Sequence, residues 1–237
     1  MLPGSASDDD FVRRAFGASL GALGIELVAP APRRGADVVA GYLAALDVAA
    51  ASPEPLLVGG ISLGAQVAAS WAADRWARRA TGPVCGLLLA LPAWSGPSVA
   101  APAALAALAT AAQVRNGGVV AALAAARAGS PPWLAAELGR AWPRYGDGLA
   151  PALEAAAAEP GPEPDALRSL DLPAGIAALV DDPVHPLTEA RRWQRLMPRA
   201  ELLTASLAAF GADAGVVGRA AVLGWLRAAY AGGGGGQ

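Results

Sequence analysis

Residues 56–65 read Leu-Leu-Val-Gly-Gly-Ile-Ser-Leu-Gly-Ala. No other stretch constrains the fold as much. A short apolar run enters a Gly-Ile-Ser-Leu-Gly turn, and an alanine-rich helical pattern, 65–80, begins directly behind it. A strand that turns at once into a helix brings backbones close together. Gly60 and Gly64, two positions either side of Ser62, leave room for that approach. The turn presents the Ser62 hydroxyl at a helix N-terminus, where the dipole favours negative charge.

The rest of the chain alternates in the same way. Helical periodicity covers 10–23, with Phe11, Phe16, Leu20 and Leu23 near one face, and 37–51, with Asp37 as its expected cap. Short apolar segments at 25–29, 55–59 and 83–91 read as strands. Strands apolar throughout, separated by helices, predict a mostly parallel sheet with helices on both faces, an α/β fold. From about 97 to 168 the pattern changes to helices alone, at 101–112, 118–128, 132–142 and 149–158. This predicts a helical cap inserted within one domain spanning 1–237. Alternation resumes with strands at 175–180 and 200–204 and helices at 187–197 and 216–230. The glycine-rich end, 231–237, is expected to be a flexible tail.

Composition removes several classes of function. All 18 basic residues are arginine, so mechanisms that need a lysine are excluded, among them Schiff bases and the Walker-A phosphate grip. One histidine, His185, and one cysteine, Cys85, exclude a multi-Cys/His zinc site and an intrachain disulfide. No carboxylate cluster has obvious metal-ligand spacing, so neither a metal nor a cofactor is expected. Cys85 lies in an apolar strand and reads as a small buried hydrophobe. A net charge of −2 without a basic block gives no sign of nucleic-acid binding. No apolar run approaches the ~20 residues of a membrane span. The first residues carry neither a basic n-region nor an apolar h-region, so the expected location is the cytoplasm. The acidic run Asp8-Asp9-Asp10 reads as a helix start.

A Gly-x-Ser-x-Gly match is weak in a chain with 29 glycines, and the strand–turn–helix context is what gives it weight. With that context the chain resembles the α/β-hydrolase superfamily along nearly its whole length. The resemblance implies Ser62 as nucleophile, with the Leu63 N–H in the oxyanion hole. Leu2-Pro3-Gly4-Ser5-Ala6 resembles the loop after the family's third strand and implies Ser5 as the second oxyanion N–H; a glycine turn leading into a helix is the structural alternative. In the family two strands and most of a third precede this loop. Either the sheet is short at one edge, an N-terminally shortened fold, or the true start lies upstream. The second is favoured, because the third strand is central.

Leu179-Val-Asp-Asp-Pro-Val-His-Pro186 resembles the loop that carries the family's acid, and Asp182 matches it by position. The family's histidine is expected within about 203–213, where this chain reads Leu-Thr-Ala-Ser-Leu-Ala-Ala-Phe-Gly-Ala-Asp. The usual base is missing from its usual place. Three readings stand at this point. His185 takes the role from the acid loop, oriented by Asp182; or His185 is structural and the chain is a weak or inactive hydrolase; or Ser62 acts without a histidine.

Trp94, Trp133 and Trp142 fall at strand ends or in the helical insertion and are candidates for an apolar substrate pocket, with plain packing as the equal alternative. Arg33 and Arg34 read as solvated loop residues. The functional expectation is a serine hydrolase, of esterase or thioesterase type, acting on a small-molecule ester or thioester. The alternative is a catalytically impaired relative with a binding or interaction role. A cofactor-free lyase or isomerase fits the scaffold no worse. A homo-oligomer is compatible with the sequence.

Overall fold

A computed structural model of the chain describes residues 1–80 and 82–231. Residues 232–237 of the expected tail lie outside the described residues. The order of elements is α1 (Asp9–Gly21), α2 (Val38–Ala50), β1 (Leu56–Ile61), α3 (Leu63–Ala77), β2 (Val84–Ala90), α4 (Pro102–Gly129), α5 (Pro132–Tyr145), α6 (Leu149–Ala158), α7 (Pro164–Ser169), β3 (Ala174–Leu179), α8 (Leu187–Leu196), β4 (Ala200–Ala205), α9 (Leu207–Ala212) and α10 (Gly215–Ala231).

The four strands form one sheet in the order β1-β2-β3-β4, and every pair is parallel. Leu88 faces Gly59 on one side and Gly175 on the other. Strand residues alternate between two cores, as a period of two requires. Leu87 and Leu89 point into the larger core with α2, α3 and α8. Leu88 and Ala90 point into the smaller core with α1 and α10. The sheet is therefore covered on both faces, which is why its strands read as unbroken apolar runs. The polypeptide between β2 and β3 contributes helices only, α4 to α7. Within α4, Gly118 breaks the helical path with φ 76°. Among the described residues no helix is long and apolar enough to cross a membrane.

Several local expectations need correction. The segment 25–29 carries no regular secondary structure and is not a strand of the sheet. Its neighbour is the Met1–Leu2 segment, which offers one bond, Met1 N to Val28 O at 2.8 Å, and no ladder. Asp37 does not cap α2 with its side chain, because a 3-10 turn at Gly35–Asp37 already leads into that helix. A side-chain cap does form on α1, where Asp8 accepts from Phe11 N. Cys85 is exposed: the β1–β2 register slips at this point, with Leu56 facing Val84 and Leu57 facing Gly86, so Cys85 is left out of the pairing. Leu23, placed on the apolar face of α1, lies just past the helix and is exposed.

Candidate active site

Parallel strands of an open sheet end on one edge, and loops leaving that edge meet. Here the edge collects the turn after β1, the Leu91–Ser95 segment after β2, the 180–186 loop after β3 and α9 after β4.

Ser62 joins β1 to α3 with φ 53° and ψ −114°, a left-handed region that a non-glycine residue adopts only under constraint. The constraint is visible in the neighbouring backbones. Leu2 lies along the free side of β1, giving its N–H to Gly59 O at 2.8 Å and accepting from Ile61 N at 3.1 Å. A Cβ on Gly60 would stand 2.4 Å from Leu2 O, and one on Gly64 would stand 2.3 Å from the same atom and 2.7 Å from Pro3 O. Only glycine fits at either position. The spacing of the motif thus follows from the Leu2–Pro3 segment crossing the turn.

His185 Nε2 lies 2.9 Å from Ser62 Oγ, and His185 Nδ1 lies 2.8 Å from Asp182 Oδ2. An ionised carboxylate only accepts, so Nδ1 carries the proton and donates to Asp182. Nε2 is then left with its lone pair to accept the Ser62 hydroxyl proton. Asp182 also shapes the loop it sits on: its Oδ1 accepts from Val184 N at 2.7 Å and from His185 N at 3.2 Å. One carboxylate therefore fixes both the backbone that carries the imidazole and the ring itself. The Asp182 and His185 side chains are 8% and 15% exposed, so the pair is largely shielded from water. Burial pushes the Asp182 carboxyl up; the hydrogen bond and charge of His185 and the two backbone N–H groups outweigh it and hold the carboxyl below its ordinary value.

The two residues expected as oxyanion donors lie beside the elbow. Leu63 opens α3, so its N–H has no acceptor within the helix. Gly4 packs against the elbow, and a Cβ there would stand 3.6 Å from Ser62 Cβ; Ser5 follows directly. Ser7 N donates to Gly4 O at 3.2 Å and closes a turn around Ser5 and Ala6.

Sequence reasoning missed three supports of this edge. Within 203–213, Ser206 caps the short helix α9, accepting from Ala209 N at 3.1 Å. Asp181 ties that helix to the acid loop by accepting from Leu207 N at 2.6 Å. Glu189, in the first turn of α8, accepts from Ser95 Oγ and, at 3.1 Å, from Trp193 Nε1. Ser206 was a readable capping signal; the Ser95–Glu189–Trp193 cluster joins residues up to 98 apart and had no local signature.

The three tryptophans all pack. Trp142 is 4% exposed within the larger core. Trp94 is buried there too and gives its indole N–H to Glu159 O at 3.3 Å. Trp133 is half-buried and meets the Phe210 ring edge-on at a centroid distance of 5.3 Å. Arg33 and Arg34 are exposed, as expected.

No family model and no curated protein matches the sequence. Solved structures do match the fold. MenH from S. aureus superposes with a TM-score of 0.69 at 15% identity, over 97% of this chain and 92% of that one. A hydrolase from Oleispira antarctica gives 0.65 at 12% identity, over 92% and 86%. A thermophilic esterase from Thermogutta terrifontis gives 0.59 at 19% identity, over 86% and 79%. The chain has the α/β-hydrolase fold.

Proposed function

We propose that this chain is a serine hydrolase acting on an ester or thioester bond of a small or acyl-type substrate. The observation that carries the reading is the hydrogen-bonded series Ser62–His185–Asp182, with separations of 2.9 and 2.8 Å. It is supported by the strained, exposed-edge position of Ser62 at the start of α3. An esterase is among the solved structures with this fold.

In this reading Ser62 Oγ attacks the substrate carbonyl carbon while its proton passes to His185 Nε2. The carbonyl electron pair moves onto oxygen, and the Leu63 and Ser5 N–H groups hold the resulting oxyanion. Asp182 keeps the imidazole in its working tautomer and stabilises the imidazolium. Collapse breaks the bond to the alcohol or thiol, which leaves with the proton from His185. Water then attacks the acyl-Ser62 ester with the same proton transfers, and the acid departs. No cofactor takes part.

The reading of an impaired protein with only a binding role drew on the empty histidine position in 203–213. The 2.9 Å separation of His185 Nε2 and Ser62 Oγ favours the active reading over that alternative.

A fluorophosphonate probe tests the proposal. The intact protein should label at Ser62, with labelling abolished in Ser62→Ala and reduced by at least ~10³-fold in His185→Ala. A folded wild-type protein that resists the probe would refute the serine-hydrolase reading.

A further inference from the structure

We infer that α5 clamps the loop that carries the Ser5 N–H, with Arg140, Arg144 and Tyr145 as positioning residues for the oxyanion hole. The inference rests on the serine-hydrolase reading above.

The loop from Pro3 to Asp8 has little to hold it from within. Its internal bond is the single turn from Ser7 N to Gly4 O, and Ala6 sits in the left-handed region at φ 55°. A non-glycine residue there carries strain on the order of 1 kcal/mol or more, so the loop relaxes unless its surroundings over-determine it. Those surroundings come from α5. Tyr145 donates its hydroxyl to Ser7 O at 2.7 Å, across 138 residues. Arg140 and Arg144 both donate to Asp8 Oδ2, the latter at 3.2 Å, while Asp8 Oδ1 accepts from Phe11 N at 3.0 Å. Arg140 further pairs with Asp10 at 3.3 Å and with Glu137 at 2.5 Å, and Glu137 reaches back to Arg14 at 2.5 Å.

Two features separate this arrangement from an ordinary surface charge pattern. The first is burial: Asp8 is 1% exposed, and a buried carboxylate without partners would be costly. Burial pushes its carboxyl up, and the Arg140 hydrogen bond, the Phe11 N–H and both guanidinium charges outweigh that, so it stays ionised. The second is convergence. Arg140 and Arg144, four residues apart, share a helix face, Tyr145 ends the helix, and all three reach Ser7 or Asp8, the residues just beyond Ser5. Capping α1 needs only Asp8 Oδ1; the second carboxylate oxygen and the Ser7 carbonyl are held by α5.

Positioning matters because an oxyanion donor works only within a narrow range of distance, and a displacement of about 1 Å lowers the rate up to ~10²-fold. The test compares second-order rate constants for fluorophosphonate labelling across pH, together with Tm. Tyr145→Phe removes one hydrogen bond and should label about tenfold more slowly, with the midpoint of its pH profile unchanged, since His185 and Asp182 are untouched. Arg140→Gln should be slower still, and Arg140→Lys should recover part of the rate by restoring the charge without the planar fork. Arg115→Gln, which breaks the Arg115–Glu154 pair between α4 and α6, should label at the wild-type rate. If Arg140→Gln does not fold, Tyr145→Phe decides alone. Labelling of folded Tyr145→Phe at the wild-type rate overturns the clamp, as does an equal loss in Arg115→Gln. Failure of the wild-type protein to label refutes the hydrolase reading itself and takes the inference with it.

Discussion

His185 lies three residues beyond Asp182 and 123 residues from Ser62, yet its two ring nitrogens reach both. The geometry that a separate histidine loop would supply is produced here by a single turn after β3. The Asp182 side chain bends that turn by accepting two backbone N–H groups, and it orients the ring with its second oxygen.

Asp182→Asn should therefore leave the turn largely intact and reverse the ring's tautomer. The amide oxygen can still accept from Val184 N and His185 N, but its NH2 meets Nδ1 as a donor. The imidazole then favours the wrong tautomer, and the rate of acylation should fall on the order of 10⁴-fold. Ester turnover or probe labelling by the folded variant, within tenfold of wild type, would contradict the tautomer argument.

The backbone strain at Ser62 should be measurable as stability. Ser62→Gly relieves a left-handed φ of 53° and should raise Tm by about 2–6 °C, from ~1–2 kcal/mol of released strain. Ser62→Ala keeps the Cβ and should not show that gain. Calorimetry on the two variants checks this, and equal Tm values would mean that the elbow stores no strain.

Gly64→Ala should damage both stability and chemistry. The added Cβ would stand 2.3 Å from Leu2 O, a backbone atom, so the Leu2–Pro3 segment must move away from the elbow. A cost of about 1–3 kcal/mol is expected, with loss of labelling at Ser62 because Gly4 and Ser5 shift with that segment. Urea denaturation and probe labelling read the two effects separately; a wild-type denaturation midpoint for the variant would show that the segment yields freely.

Asp8 and Asp182 both have carboxyls held below their ordinary values in the folded chain. A depressed folded value means that the unfolded chain binds the proton more readily. Each group's contribution is complete above the ordinary carboxylate range near pH 4 and is lost as pH falls through the folded value. Stability should thus fall on acidification below about pH 4, more gently in Asp8→Asn and in Asp182→Asn than in wild type. Denaturation midpoints between pH 5 and pH 2 measure the slopes, and identical slopes in all three proteins would exclude both groups as the source.

Much of this arrangement is legible in the sequence, because it is local. The strand–turn–helix at 56–65, the apolar strands and the helical stretch between β2 and β3 follow from periodicity and from glycine placement. What could not be read depends on contacts between distant segments. The distance between Ser62 and His185 is set by two loops that meet only once the sheet forms, so the sequence left three readings open. The Asp8–Arg140–Tyr145 network looks like an acidic helix start and scattered arginines until α5 packs beside α1. The segment 25–29 has a strand's composition, but composition cannot supply a partner for its backbone. At 206–212 the signal is local, a serine cap before a short helical run.

The position of His185 also changes how the site responds to motion. When acid and base occupy separate loops, three bodies must keep register: elbow, acid loop and base loop. With Asp182 and His185 on one turn, thermal displacement carries both together, and in the proposed relay a single distance, that between the 180–186 loop and the α3 terminus, governs whether the proton can pass. The segment after β4 has no part in that proposed relay. It folds instead into α9, whose Phe210 meets Phe11 of α1 and Trp133 of α5. The segment after β4 thus serves as a girder between layers.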